Sequence, residues 1–301
     1  MTGVRTVRPA AEWTVARAVA AKDGRRIAVC IPCRNEAATI GPLVTLIRTA
    51  LVDDAALVDD LVVLDDDSTD GTPAIAAAAG ARVVSVAEVV ARAGHEPLQG
   101  KGNVLWASLL ATDAELVVWC DADLTSFDPS WVVRLVVPLL CEENVGLVKA
   151  DYERPADAGG GGRTTELTAR PLLSLYFPEL AGLRQPLGGE MAGRRSLLER
   201  VPFVAGWGVE VGLLVDISRT AGVAAIAQVD LGVRRHRHRS LVELGVQAAE
   251  VAATILRRAG VPLGNPEAGP PALRRPSGAV VPLNLAERPP IVAGPAAHPC
   301  C

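Results

Sequence analysis

Aromatic residues are scarce in this chain: Phe, Tyr and Trp make up 3% of it, although 50% of its residues are hydrophobic. With so few rings the interior has to be filled by Val, Leu, Ala and Ile, a composition that suits parallel strands covered by helices. No run approaches the ~18 uninterrupted apolar residues of a membrane-spanning helix. The first residues, with Arg5, Arg8, Glu12 and Arg17, contain no apolar signal-peptide core. The expectation is a soluble, cytoplasmic protein without a membrane span. Excess positive charge is also missing: a net charge of −4 and a pI near 5.7 argue against a general nucleic-acid binder, and the basic residues cluster only locally, at Arg234 to Arg239. The six cysteines follow neither a zinc-ribbon spacing nor a secreted disulfide framework, and Cys30 and Cys33 read as ordinary thiols at a strand end.

What the chain does have is centred on residues 115–124, Glu-Leu-Val-Val-Trp-Cys-Asp-Ala-Asp-Leu. The apolar run predicts a strand buried on both faces that ends abruptly in Asp121 and Asp123. In an open α/β sheet ligands bind at that end, and a carboxylate pair there can hold a phosphate-bound divalent cation. A solvated turn would look the same on these residues alone. At 301 residues the chain suits one large α/β domain with an extension.

In order, residues 1–25 read as a polar, Ala-rich lead-in. Strands are expected over 27–32, 61–64, 81–86, 145–150 and 224–229, and helices over 39–51, 72–79, 131–140 and 241–258. Four βα units before residue 125 imply sequential winding. The first strand runs into Pro32, Arg34, Asn35 and Glu36, and the second into Asp65, Asp66 and Asp67. Acidic residues at a strand end suit a ribose or a base edge, but also a helix N-terminus. Gln99-Gly100-Lys101-Gly102 opens a helix; its glycines let the backbone approach a pyrophosphate, and it is not a Walker loop. Four consecutive glycines end at Gly162, and Arg163, Thr164 and Thr165 follow at a helix start, as an anion cradle or a plain linker would have them. Glu190 and Glu210 lie among small residues, with room to meet a substrate hydroxyl. His236 and His238 among four arginines suggest anion or metal contact. From Gly260 onward ten prolines predict an irregular tail.

The ordered set Pro32-x-Arg34-Asn35-Glu36, Asp65 to Asp70, Gly100-Lys101-Gly102, Asp121-x-Asp123, Gly162-Arg163-x-Thr165-Glu166-Leu167, Gly208-Val209-Glu210 and Arg235-His236-Arg237 resembles the GT-A nucleotide-sugar glycosyltransferases. More narrowly, it resembles the glucosyl-3-phosphoglycerate synthases of actinobacteria, over about residues 26–258. The resemblance implies an α/β, Rossmann-like, mixed but mostly parallel sheet flanked by helices, with a C-terminal acceptor-binding extension. Residues 26–150 would form the nucleotide-sugar half, 151–258 the acceptor half and 259–301 the tail.

The implied reaction is metal-dependent transfer of glucose from UDP-glucose to the 2-hydroxyl of 3-phosphoglycerate with retained configuration. Pro32, Arg34, Asn35, Glu36, Asp65, Asp66, Lys101, Asp121 and Ala122 would hold the donor. Asp123 and His236 would bind Mg²⁺ or Mn²⁺. Gly162, Arg163, Thr164, Thr165, Glu210, His238 and Arg239 would take the acceptor, with Glu210, Asp123 and Lys101 closest to the chemistry. No carboxylate is an evident covalent nucleophile, so front-face attack with Glu210 as a positioning group is favoured. The resemblance also implies a homodimer. The chain departs from the family pattern at Asp66, Asp67, Gly188, Trp207 and His238, which border the nucleotide and sugar pockets. Donor identity thus stays open between UDP-glucose and a GDP-linked sugar, as in mannosyl-3-phosphoglycerate synthases. A polyprenyl-phosphate glycosyltransferase and a catalytically silent nucleotide-sugar-binding protein are the remaining readings.

Overall fold

Ile27, Ala28, Val29, Cys30 and Ile31 are all fully buried, as a strand with helices on both faces requires. The computed structural model describes residues 3–7, 13–154, 162–235, 240–264 and 269–292. In chain order its strands are β1 (Arg5–Val7), β2 (Ile27–Cys33), β3 (Asp60–Asp65), β4 (Arg82–Ser85), β5 (Leu116–Trp119), β6 (Leu147–Glu153), β7 (Met191–Arg194), β8 (Phe203–Val204), β9 (Ile226–Val233), β10 (Ala272–Arg274), β11 (Val280–Pro282) and β12 (Glu287–Arg288). Eight of them form one sheet in the order β1-β9-β6-β7-β5-β2-β3-β4. Every pairing in it is parallel except the two that β7 makes.

Two apolar cores cover the sheet. On one face Ala18, Ile40, Val44, Trp131 and Val136 pack from helices Val15–Lys22, Ile40–Ile47 and Ser130–Cys141. On the other, Val89, Trp106, Leu213 and Val251 pack from helices Val86–Arg92, Lys101–Ala111, Val209–Ala221 and Leu241–Arg258. The aromatic residues are used as anchors: Trp119 is fully buried and its indole N–H donates to Ser108 Oγ at 2.8 Å, which satisfies the ring's polar end inside the core.

The lead-in holds helix Val15–Lys22 as well as β1, which pairs with β9. Strand β7 has no period-2 or β-branched signature in its Met-Ala-Gly-Arg sequence. It is a strand because ladders from β5 and β6 reach it from both sides. The expectation of an irregular tail is corrected over residues 269–292. There β10 and β11 form a hairpin, and β12 pairs with β8. Arg288 Nε donates to Asn103 Oδ1 at 2.8 Å, and the Trp106 indole N–H donates to the Pro289 carbonyl at 2.9 Å. Prolines removed the local signal, but long-range partners supply the order. Among the described residues no helix is long and apolar enough to cross a membrane.

Candidate active site

The carboxyl ends of β2, β3 and β5 open onto a crevice, and the residues after β5 carry its charge. Lys101 opens helix Lys101–Ala111, while Gly100 takes a φ of +112° that a side chain would strain. Its ammonium lies 2.8 Å from Asp121 Oδ1 and 2.9 Å from Glu210 Oε1. Arg234, at the end of β9, reaches Asp121 Oδ2 at 2.7 Å, Glu190 Oε1 at 2.8 Å and Asp123 Oδ1 at 3.8 Å. Both oxygens of Asp121 are therefore held by cations.

Burial acts to lower the Lys101 ammonium, but Asp121 and Glu210 outweigh it and hold the group above its ordinary value. Burial likewise acts to raise Asp121, yet Lys101 and Arg234 hold its carboxyl below the usual carboxylate range. Beneath them Lys149 is fully buried, with its ammonium on the Gly188 carbonyl and 3.8 Å from Met191 Sδ. There burial wins and pulls its pKa down to about 8. Gly189 lets this layer close up: a Cβ at that position would sit 2.1 Å from Asp121 Oδ1.

Two clefts meet on this cluster. One is lined by Pro32, Arg34, Glu36, Asp66, Gln99, Gly100, Ala122, Glu250 and Asn284. The other is lined by Tyr152, Arg154, Gly162, Arg163, Thr164, Thr165, Gly189, Glu210, Arg234, Leu244 and Gln247. Lys101, Asp121, Asp123 and Trp207 line both. Burial raises Asp66 at the first cleft, against a lowering by Arg34.

Most of the donor and acceptor residues expected from sequence thus come together, one set in each cleft. Asn35 and Asp65 do not line either cleft. Asn35 holds a left-handed turn at φ +57°, its Oδ1 accepting from the Thr69 amide at 2.8 Å, so it shapes the rim from behind. Asp65 stands at the end of β3 with Oδ1 buried and without a hydrogen-bond partner. The room expected around Glu190 is absent: it is fully buried and paired with Arg234. Glu210 lines the second cleft, but its carboxylate already faces Lys101. His236, His238 and Arg239 lie outside the described residues.

Sequence reasoning left Arg154, Glu250 and Asn284 unassigned and gave Arg234 no task of its own. Only the basic run after β9 signalled Arg234; the others belong to no motif. Of the expected metal ligands, Asp123 is described, and no three His, Cys, Asp or Glu residues converge among the described residues. Asp123 nevertheless fits a hard divalent cation. It is a carboxylate at the junction of the clefts, with 23% of its side chain exposed, whereas Asp121 is occupied by Lys101 and Arg234.

This fold and this site define a glycosyltransferase of the GT-A class, and the family model described as glycosyl transferase family 2 matches residues 28–203. A glucosyl-3-phosphoglycerate synthase of Mycolicibacterium paratuberculosis is 48% identical over 295 residues, covering 93% of this chain and 88% of that one. The crystal structure of the Mycobacterium tuberculosis glucosyl-3-phosphoglycerate synthase with Mn²⁺, UDP-glucose and phosphoglyceric acid is similar with a TM-score of 0.87 at 44% identity, over 97% of this chain and 99% of that chain. A structure of the same enzyme with Mg²⁺ and UDP gives 0.85 at 44% identity, over 96% and 98%. The chain belongs to glycosyl transferase family 2 and, within it, to the glucosyl-3-phosphoglycerate synthases.

Proposed function

We propose that this chain transfers glucose from UDP-glucose to the 2-hydroxyl of 3-phosphoglycerate, with retained anomeric configuration. The observation that carries the reading is the meeting of two clefts on Lys101, Asp121, Asp123 and Trp207. One cleft has the strand-end acidic residues and glycines a nucleotide requires, the other an arginine-and-threonine cradle for an anion. Relatives bearing that activity and their bound ligands support it.

In this reading residues 26–150 supply the donor half and 151–258 the acceptor half, with Asn284 added to the donor side. Pro32, Arg34, Glu36 and Asp66 hold the nucleoside, and Asn35 and Asp65 act from behind the rim. Lys101 stays protonated between Asp121 and Glu210 and presents fixed positive charge where the diphosphate and sugar meet. Glu210 orients the transferred sugar or the acceptor hydroxyl. A divalent cation held by Asp123, with His236 as the second proposed ligand, would supply Lewis-acid neutralisation of the departing diphosphate. Gly162, Arg163, Thr164 and Thr165, with His238 and Arg239, orient the acceptor's anionic groups.

A cytoplasmic homodimer completes the proposal. Leu167, Leu175, Leu241 and Val242 are each more than 60% exposed, and helices Arg170–Tyr176 and Leu241–Arg258 pack together, which supports an apolar face for a second copy. A panel of UDP- and GDP-linked glucose and mannose against 3-phosphoglycerate and a polyprenyl phosphate, with product analysis, tests the activity. Glucosyl-3-phosphoglycerate from UDP-glucose is expected. A product only from a GDP-linked sugar, or only with a polyprenyl phosphate, would sink it.

A further inference from the structure

Tyr152, at the end of β6, is buried with two guanidiniums near its ring: Arg234 is centred 5.4 Å from the ring centroid and Arg154 5.2 Å. Arg154 NH2 donates to the Tyr152 phenol oxygen at 3.2 Å. On its other side lies the acceptor loop. Gly162 takes φ +77°, and a Cβ there would come within 2.7 Å of Arg154 NH1, so glycine lets the loop backbone settle against the guanidinium.

Besides Arg163, the cations lining this cleft divide into two groups. Lys101 and Arg234 are bound to Asp121, Glu190 and Glu210. Arg154 instead rests on a neutral phenol and an aromatic face. Two polar atoms of residues lining the same cleft, Arg154 Nε and Thr164 Oγ1, are buried without a hydrogen-bond partner. Buried polar atoms without partners at the wall of a cleft are what a ligand's oxygens would satisfy. A guanidinium presents its donors as a planar fork that matches phosphate oxygens.

We propose that Arg154 is a second guanidinium of the acceptor pocket and, with Arg163 and the Thr164 hydroxyl, grips the acceptor's phosphate. The inference rests on the acceptor being a phosphorylated hydroxy acid, as read above. A phosphate dianion needs more than one positive charge to offset it, and Arg154 supplies charge that is not paired with Asp121, Glu190 or Glu210. Tyr152 holds the fork at the height of the loop.

Steady-state kinetics and calorimetry on the full chain test this. Arg154→Gln is expected to raise the KM for 3-phosphoglycerate by about 10-fold or more. The affinity for UDP with Mn²⁺ should stay within about twofold, because the donor cleft is untouched. Inhibition by inorganic phosphate, competitive with the acceptor, should weaken in parallel. Arg154→Lys keeps the charge but loses the fork and should fall between; it also serves if the Gln variant does not fold. Unchanged phosphate inhibition in either folded variant overturns the role of Arg154 alone. A loss of UDP affinity matching the loss of acceptor affinity does the same. A wild-type chain inert toward 3-phosphoglycerate overturns the acceptor reading itself and this inference with it.

Discussion

Glu250 accepts a hydrogen bond from the backbone amide of Trp207 at 2.8 Å, so helix Leu241–Arg258 fixes a residue shared by both clefts. Its other oxygen accepts from the Asn284 amide at 2.9 Å, and Asn284 in turn donates to the Gln99 carbonyl at 2.6 Å. One buried carboxylate therefore ties together the loop before Glu210, the glycine–lysine loop and the C-terminal segment.

Glu250→Gln keeps the shape but turns one acceptor into a donor, leaving one of those two amides unpaired. A buried unpaired donor costs about 1–3 kcal/mol. Denaturant unfolding is expected at a lower midpoint with an unchanged slope, together with weaker UDP binding. An unshifted midpoint would mean that these two bonds carry no weight.

Asp123→Ala should abolish metal-dependent UDP binding as well as turnover. Calorimetric titration of UDP with and without Mn²⁺ checks it independently of catalysis. If Mn²⁺ still strengthens UDP binding in the variant, the ligand assignment fails.

Arg163→Ala should raise the acceptor KM by about 10-fold or more while sparing UDP, because the lost interaction is with an anion that only the acceptor carries. Initial-rate measurements varying each substrate in turn separate the two. An equal loss for both would place the loop on the donor side.

Lys149 gives the protein a pH signature. Burial depresses its pKa from the ordinary 10.5 to about 8, so between those values the unfolded chain binds the proton and the folded chain does not. Stability attributable to this group therefore rises as pH increases from about 8 toward 10.5, and below about 8 it is at its least favourable. Lys149→Met should flatten that stretch of the stability profile, read as denaturation midpoint against pH. A variant whose profile parallels the wild type would show that the charge is not what burial opposes there.

Strands β2, β3 and β5 were legible because they are apolar runs that lead directly into Asn35, Asp65 and Asp121, at the sheet end where an open α/β fold binds its ligands. Asp121, Asp123, Lys101 and the Gly162–Thr165 loop were legible for the same reason: their chemistry is written in contiguous residues. Strand β7 was not, since Met191–Arg194 owes its conformation to neighbours on both sides. Nor were Arg154, Glu250 and Asn284. Glu250 and Asn284 act through partners distant in sequence, Trp207 and Gln99, and Arg154 is held by Tyr152 two residues before it without forming a motif. Glu190 looked like a substrate contact because its flanking glycines suggest space, but that space is filled by Asp121 and Arg234.

Because β7 runs antiparallel between β5 and β6, the chain must travel some forty residues past β6 and turn back before the middle of the sheet can close. A nascent polypeptide ending at residue 150 would lack both strands that pair with β6, namely β7 and β9, and would leave the β7-facing edge of β5 bare as well. The stretches before and after residue 150 are thus not pieces that could be cut apart and expressed separately.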